Sequence, residues 1–341
     1  MLNKVSKFIK DKKYNEENIL VIKGQSEDDF SGFSPAPEIP EQRTANILED
    51  AVLKLKKVII KCEKSGFTHF LDGIERKKVI LNYNFIPVTY GYVAAVIMGR
   101  TDKKMRSTGL EDVSEKIYLP YKKEKNGDEP ENYFNYEDVA DLLPENTGTP
   151  NDDGTYPRFP KEFEKRAHND IQTTRVQQEK ALAKKWLNED FDGWLYIDGR
   201  LENKNNEMAS NPRVAGIIKS HHVYYFSPNE QNKIYMLKKG ERTSVFQPID
   251  KNNKEENIYS WYLRLHDNNH NGGLDFGIIR VEIPAKEELL NQVDIISQWI
   301  LLERNPVAFP ASRWDRMIYP IKYCEDYLKS KAPSWTKLES L

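Results

Sequence analysis

The sequence predicts an α/β protein in which helices flank a mixed β-sheet. Three observations predict this fold class. Strand-like apolar segments alternate with helical segments over most of the 341 residues, two of these strands end in the same Asp-Gly dipeptide, and one long helical segment separates them. The two strands read "HFLDG" and "WLYIDG", and their acids are Asp72 and Asp198.

The composition is typical of a globular protein with a polar surface, since 30% of residues are charged and 11% are aromatic. The 51 basic and 53 acidic residues give a net charge of −2, so contact with nucleic acid would require local basic patches. Two cysteines, Cys62 and Cys324, are too few for a zinc cluster or a disulfide framework. Neither a signal peptide nor a membrane-spanning apolar run is visible, so we expect a cytoplasmic protein with no membrane partner.

Residues 1–65 are predicted to form an N-terminal loop and helix. The prolines of "FSGFSPAPEIPEQ" indicate the loop. After it, apolar residues recur at three- and four-residue spacing up to Gly66, which predicts a helix at about 46–64. We interpret its lysines as a solvated face, with a phosphate-binding patch as the alternative; they are Lys54, Lys57, Lys61 and Lys64.

The main domain is predicted to span residues 66–335 and to begin with three strands. "THFLDGIE" indicates the first strand, and residues 77–100 hold two more that we expect to form a meander. Residues 100–165 interrupt the pattern, and the part at 122–165 carries 12 acidic and 6 basic residues. We interpret about 100–165 as an acidic surface insertion and favour a solvated loop over a lid or partner-docking segment.

The second half of the main domain is predicted to alternate helices and strands. We expect a helix at about 161–189, a strand at "GWLYIDGRLE", a loop at "NKNNEMASNP" and a strand at "RVAGIIKSHHVYYF". A hairpin around Lys239-Gly240 follows, and then two strands, "IYSWYLRLH" and "DFGIIRVEIP", joined by an Asn/Gly-rich loop. Two helices are expected last, at "KEELLNQVDIISQWILLERN" and at about 313–330.

The two Asp-Gly dipeptides are the best candidates for chemistry. Asp72 and Asp198 each end an apolar strand, where a buried carboxylate is costly unless a partner neutralises it. Gly73 and Gly199 leave room beside each acid. Because Mg²⁺ and Mn²⁺ prefer hard oxygen ligands, we expect both acids to share one metal site across adjacent strands. A single Asp-Gly is more often a turn, and only the matched pair favours the site.

Further candidates lie on the intervening helix and on the strand that follows. Glu179 is a candidate metal ligand, although its four-residue spacing from Arg175 equally fits an ion pair on one helix face. Lys219 precedes His221 and His222, and a lysine there would neutralise charge on a phosphate. Adjacent strand residues point to opposite faces, so the two histidines are a poor metal pair. Arg175, Lys219 and His221 are therefore assigned to substrate binding.

A fourth metal ligand is expected in "FPASRWDRMIYPIKYCEDYLKS". The candidates are Asp315, Glu325 and Asp326, with Asp326 as the first choice and solvated helix acids as the alternative for each. The sequence contains no Walker loop, no glycine-rich dinucleotide loop and no Gly-x-Ser-x-Gly elbow. Nucleotide-driven and serine-hydrolase chemistries are therefore not indicated.

The order of these motifs resembles that of the NurA nucleases, which have an RNase H-like fold related to the nuclease domain of Argonaute proteins. The motifs are "FLDGIE", "TTRVQQEKAL", "WLYIDGRL", "RVAGIIKSHH" and "YPIKYCEDYL", and together they cover about residues 66–335. The resemblance implies that Asp72, Glu179 and Asp198 bind metal and that Lys219 is the strand lysine of the family. The family's last helix bears a His or Asp, and no His follows Tyr319-Pro320 here, so the fourth ligand stays open.

The resemblance implies a DNA nuclease that depends on Mn²⁺ or Mg²⁺. In the expected mechanism, Asp72 and Asp198 flank two ions, of which one activates the attacking water and the other stabilises the leaving 3′-oxygen. NurA proteins are typically homodimers that work with HerA, a hexameric ATPase that translocates DNA, in end processing or phage defence. Three alternatives remain open: an inactive RNase H-like module that binds DNA or a translocase, an RNA-directed nuclease closer to Argonaute, and a structural domain with two coincidental turns.

Overall fold

The computed structural model describes residues 3–4, 6–8, 19–21, 41–123, 128–201, 211–220, 223–267, 273–308 and 313–334. The strands are β1 (Ile19–Val21), β2 (Glu41–Gln42), β3 (Thr44–Ile47), β4 (Leu55–Lys57), β5 (Phe67–Tyr83), β6 (Ile86–Thr101), β7 (Lys104–Leu119), β8 (Tyr121–Lys122), β9 (Phe134–Asn135), β10 (Glu145–Asn146), β11 (Trp194–Asp198), β12 (Val214–Ile218), β13 (Val223–Tyr224), β14 (Glu241–Thr243), β15 (Phe246–Ile249), β16 (Ile258–Arg264) and β17 (Ile278–Pro284). The helices are α1 (Tyr136–Val139), α2 (Pro160–Asn188), α3 (Pro228–Tyr235), α4 (Glu287–Leu290), α5 (Val293–Glu303) and α6 (Tyr319–Lys331), with a 3₁₀ turn at Ala140–Leu142.

Within the described ranges, one mixed sheet of 13 strands forms the centre of the protein. Its main path runs β10-β7-β6-β5-β11-β12-β17-β16-β14-β4, with β1 beside β5 and the pair β15 and β3 beside β16. β5, β6 and β7 are an antiparallel meander, whereas β11 and β12 run parallel to β5. From β17 to β4 each strand is antiparallel to its neighbour. The predicted α/β class, with helices flanking a mixed sheet, is confirmed.

Helices cover both faces of the sheet around β5 and β11. On one face, Leu182 and Trp186 of α2 pack in a cluster with Leu71 and Ile197. On the other face, α5 and α6 join a larger cluster that includes Phe70. Since adjacent strand residues point to opposite faces, both strands are buried on two sides and read as continuous apolar runs. No helix in the described part of the chain is long and apolar enough to cross a membrane.

Several sequence predictions are confirmed. A meander is present, but its strands are placed differently: the predicted first strand and the start of residues 77–100 are one strand, β5, and the third strand, β7, lies in the predicted insertion. The helix predicted at about 161–189 is α2, and "GWLYIDGRLE" contains β11. β16 and β17 form the predicted pair, and the predicted helix after them is divided into α4 and α5. The last helix begins at Tyr319, later than expected, and the predicted loop at 203–212 lies mostly outside the described residues.

The predicted helix at about 46–64 is wrong. This segment instead contributes β3 and β4 to the sheet, where they pair with β15 and β14. The carboxylate of Glu49 accepts hydrogen bonds from buried Arg242, and Asp50 accepts one from Ser244. Arg242 lies 193 positions after Glu49, and Ser244 lies 194 positions after Asp50. These tertiary contacts override the helical spacing of the segment. All four of its lysines are exposed, as expected for a solvated face.

The predicted insertion at about 100–165 is wrong in its first part and is not a solvated loop in the rest. Residues 104–119 are β7, a full strand of the sheet. After it, β8 pairs with β9 and β10 pairs with β7. Buried apolar side chains lie between the acidic turns, which explains why the segment packs; they are Tyr133, Phe134, Val139 and Leu142.

The hairpin predicted around Lys239-Gly240 is also wrong in its first half. Residues 228–235 form α3, and only the residues after Gly240 are strands. Pro228 at the first helical turn fits this outcome, because its fixed φ suits that position. Gly240 has φ +78° and directs the chain from the helix into β14.

Candidate functional site

Asp72 and Asp198 lie next to each other at one end of β11. β5 and β11 are adjacent and parallel, and their register pairs Leu71 with Ile197. The next residue on each strand is the aspartate, so the two carboxylates stand at the same level. β11 ends there because Gly199 has φ +149°, a conformation that favours glycine. The prediction that the two Asp-Gly sites face one another across adjacent strands is confirmed.

Asp72 is buried and has no ion-pair partner among the described residues. Only 8% of the residue is exposed, and its Oδ1 accepts a hydrogen bond of 2.8 Å from the amide of Gly73. Among the described residues, no Lys, Arg or His forms an ion pair with it. Burial, reinforced by the negative charge of Asp198, raises the pKa of Asp72 well above its ordinary value. Lys219 acts on Asp72 in the opposite direction, but the net effect of the surroundings still disfavours the charged carboxylate.

Asp198 differs because Lys219 forms an ion pair with it. Lys219 Nζ lies 2.6 Å from Asp198 Oδ2, and both residues are largely buried. Arg316 donates a hydrogen bond of 2.8 Å to the carbonyl of Lys219 and lies 3.1 Å from Asp315. Asp315 also accepts a hydrogen bond from the amide of Gly277. Asp315, a candidate fourth ligand, therefore holds Arg316 beside Lys219 and is not among the residues that line the cavity of Asp72.

Glu179 reaches the site from α2, across Gly73. A Cβ at Gly73 would stand 2.4 Å from Glu179 Oε1, so only glycine admits this side chain beside Asp72. Arg175, one turn earlier, lies 2.5 Å from the same oxygen, which confirms the geometry of an ion pair at four-residue spacing. Burial nevertheless raises the pKa of Glu179 to about 7, against the opposing effect of Arg175.

The structure favours Glu325 over Asp326 as the fourth acid. Glu325 lines the same cavity as Asp72 and pairs with Lys329, whereas Asp326 is exposed, pairs with Lys322 and is not a lining residue. The reason is helical spacing: Glu325 follows buried Ile321 by one turn, and Asp326 is rotated from Glu325 by about 100°, toward the exposed side of the helix. Asp326 as a metal ligand stays a prediction, and the structure places it outside the cavity that Glu325 lines.

Asp72, Asp198 and Glu325 line a cavity of about 690 Å³ whose other charged groups are cations. Sequence reasoning identified only Arg175 and Lys219 among these cations, because the others come from five separate places in the chain. They are Arg200, Arg280, Arg313, Lys322 and Lys329. Because the lining carries more cations than acids, its electrostatic potential favours an anionic ligand. His221, a substrate-binding candidate, lies outside the described residues.

The carboxylates are not arranged as a ready metal cluster. Within the part of the chain that the structure describes, no three His, Cys, Asp or Glu side chains are grouped so that they could hold an ion. Three of the acids pair with cations instead: Asp198 with Lys219, Glu179 with Arg175 and Glu325 with Lys329. Asp72 alone has no such partner. Hard carboxylate oxygens around a buried acid that forms no ion pair fit Mg²⁺ or Mn²⁺ in ligand type, but Glu179 would have to leave Arg175 to bind one.

No protein-family model matches the sequence, and no curated protein matches it significantly. Function is therefore inferred from the chemistry of the site rather than from kinship.

Proposed function

We propose that the protein is a divalent-metal-dependent nuclease that hydrolyses phosphodiester bonds in DNA. The observation that carries the proposal is the pair Asp72 and Asp198 on adjacent parallel strands, inside a cavity with cationic walls. Asp72 is a buried acid that lies beside Asp198 and forms no ion pair, an arrangement that suits a divalent cation, and the cationic walls suit a polyanion. A phosphodiester held by divalent cations satisfies both requirements at once.

The residues that would hold Mn²⁺ or Mg²⁺ are Asp72 and Asp198, with Glu179 and Glu325 as further oxygen ligands. When bound, such cations lower the pKa of a water and stabilise the leaving oxygen. Lys219, already within hydrogen-bond distance of Asp198, adds a fixed positive charge where the phosphate develops negative charge. No covalent intermediate with the protein is required.

We also propose that the order β7-β6-β5-β11-β12 is an RNase H-like core. An antiparallel meander, a long helix and two parallel strands occur here in that sequence. The motif resemblance to the NurA nucleases supports the same interpretation and adds DNA as substrate. It further suggests a homodimer and a HerA-type hexameric ATPase as partners. A dimer would have twice the 39.8 kDa mass of the chain, about 80 kDa, and light scattering measures this directly.

Digestion of labelled single- and double-stranded DNA in Mn²⁺ tests the proposal. We expect Asp72→Ala and Asp198→Ala each to lower the cleavage rate by at least about 10³-fold, since each removes charge that holds the metal. Asp326→Asn is the matched control, because Asp326 lies outside the cavity, and it should cleave as the wild type does. Equal cleavage by wild type and both alanine variants would show that the site is misassigned.

An inactive binding module is the alternative, and calorimetric titration with Mn²⁺ distinguishes it. A nuclease of this kind binds Mn²⁺ saturably in wild type and loses that binding in Asp72→Ala. An RNase H-like module that only grips DNA or docks on a translocase binds DNA without saturable Mn²⁺ binding. An RNA strand in the substrate panel tests the RNA-directed alternative in the same assay.

A further inference from the structure

A ladder of alternating charges runs from the surface to the candidate metal site along β5 and α2. Lys77 Nζ lies 3.2 Å from Glu75, and Glu75 Oε2 lies 3.2 Å from Arg175 Nε. Arg175 in turn lies 2.5 Å from Glu179, which stands over Gly73 beside Asp72. Gly73, Glu75 and Lys77 share one face of β5 because strand side chains alternate. Each charge on the ladder therefore touches the next.

Arg175 is the shared member of the ladder, and it uses different nitrogens for its two partners. Nε faces Glu75 and the terminal nitrogen faces Glu179, as the planar fork of a guanidinium allows. Arg175 therefore pairs with two acids at once. Glu179 lies beside Asp72, and Glu75 lies farther from the site on β5. If a cation takes over Glu179, Arg175 keeps Glu75 as its partner and needs no new contact in order to stay folded against the sheet.

We propose that Arg175 is a positioning residue that competes with divalent cations for Glu179, and that Glu75 sets the strength of this competition. This inference rests on the proposed function. In the metal-free protein, Arg175 compensates Glu179 so that the buried acid is not left alone. When metal binds, Glu75 retains Arg175 at the cavity wall, where its freed terminal nitrogen faces the phosphate.

The proposal assigns Glu75 a role although it is not among the residues lining the cavity. If Glu75 acts only through the long-range electrostatic field of its charge, its removal should weaken metal binding whichever residue stands at position 175. An acid that acts by holding Arg175 has no effect once Arg175 is absent. A double-mutant cycle separates these two cases, because it measures the coupling between the two positions.

The experiment is a calorimetric titration with Mn²⁺ of the full chain, in wild type, Arg175→Ala, Glu75→Gln and the double variant. We expect Arg175→Ala to bind Mn²⁺ about fivefold tighter, because the competing cation is gone. Glu75→Gln should bind about fivefold more weakly, because Arg175 then pairs with Glu179 alone. Adding Glu75→Gln to Arg175→Ala should change affinity less than about twofold. Asp326→Asn removes an equal charge outside the ladder and serves as control.

Arg175→Lys provides a second background, since lysine keeps the charge but lacks the fork that bridges two acids. There too, Glu75→Gln should have a smaller effect than in wild type. If Glu75→Gln weakens Mn²⁺ binding equally in all backgrounds, the competition is a field effect and the proposal is overturned. If wild type binds no Mn²⁺ saturably, both this proposal and the nuclease proposal are overturned, whereas binding without coupling overturns this one alone.

Discussion

Asp72 and Asp198 share a dipeptide, an apolar approach and a strand end, yet their electrostatic surroundings differ. Asp198 pairs with Lys219 at 2.6 Å, whereas Asp72 forms no ion pair among the described residues and meets Lys219 only through its longer-range field. The protein thus pairs one acid with a lysine and leaves the other without an ion-pair partner among the described residues. A wholly structural pair would show two compensated acids, because a lone buried carboxylate costs stability that no contact returns.

The largest expected effect on stability comes from removing Lys219, which leaves Asp198, like Asp72, without an ion-pair partner. Lys219→Met keeps the length of the side chain but leaves Asp198 uncompensated next to Asp72. We expect the free energy of unfolding in EDTA to fall by about 2–3 kcal/mol, somewhat less than for a fully buried pair because Asp198 is partly exposed. Urea denaturation measures this, and added Mn²⁺ should restore part of the loss.

The matched control for that variant is Lys57→Met, since Lys57 is exposed and lies on the far edge strand β4. It should leave the unfolding free energy within about 0.5 kcal/mol of wild type. Equal stability of Lys219→Met and wild type would mean that Asp198 does not depend on its lysine, and the contrast with Asp72 would disappear.

A smaller and opposite effect is expected from neutralising Asp72. Because its pKa is raised in the folded state, Asp72 favours folding below its unfolded pKa of about 3.9 and loses that contribution as pH rises through the folded value. Asp72→Asn should therefore be more stable than wild type in EDTA at pH 8, by about 1–2 kcal/mol. The difference should shrink as the pH is lowered to 4, and urea unfolding across this range measures it.

Asp72→Asn also separates the effect of the buried acid on stability from its role in metal binding. Wild type should gain stability in Mn²⁺ by mass action, and Asp72→Asn should gain little. A variant less stable than wild type at pH 8 in EDTA would contradict the view that the surroundings of Asp72 disfavour its charged form.

The fourth acid gives the next effect. Glu325 lines the cavity of Asp72 and Asp326 does not, so Glu325→Gln should weaken Mn²⁺ binding about tenfold, or about 1.4 kcal/mol. Asp326→Asn should bind within about twofold of wild type. Calorimetric titration measures the Mn²⁺ affinity of both variants. If Asp326→Asn weakens binding more than Glu325→Gln does, Asp326 is the fourth ligand.

The sequence was sufficient to predict the pairing of Asp72 and Asp198 but not the choice of Glu325. The pairing follows from two apolar runs separated by a long helix, because a crossover of this kind brings parallel strands together. The choice on α6 depends on which side of the helix packs, and that is decided by where the helix begins, at Tyr319. Helix ends are poorly marked in sequence, so neighbouring acids could not be separated.

The segment at 46–64 shows a second limit. Its spacing suits a helix, but its acids are held by Arg242 and Ser244, more than 190 positions later. Local patterns carry no information about such partners, and tertiary contacts outweigh propensities of a few tenths of a kcal/mol per residue. The cationic walls of the cavity were missed for the same reason, since their residues are scattered along the chain.

The two glycines beside the aspartates are expected to give the smallest effects, and they should differ in kind. Gly199 has φ +149° with open space around it, so Gly199→Ala strains only the backbone and should cost about 1 kcal/mol of stability. Gly73 lies in regular strand, and a Cβ there would meet Glu179 Oε1 at 2.4 Å. That oxygen ends a flexible side chain, so Gly73→Ala should displace Glu179 at little cost in stability.

Measured together, the two alanine variants test whether Glu179 belongs to the metal site. Gly73→Ala should weaken Mn²⁺ binding several-fold and unfold near the wild-type urea midpoint, whereas Gly199→Ala should do the reverse, with a lower midpoint and nearly unchanged affinity. If Gly73→Ala leaves Mn²⁺ affinity unchanged, Glu179 is only the ion-pair partner of Arg175. The metal would then be held by Asp72, Asp198 and Glu325, from two strands and the last helix.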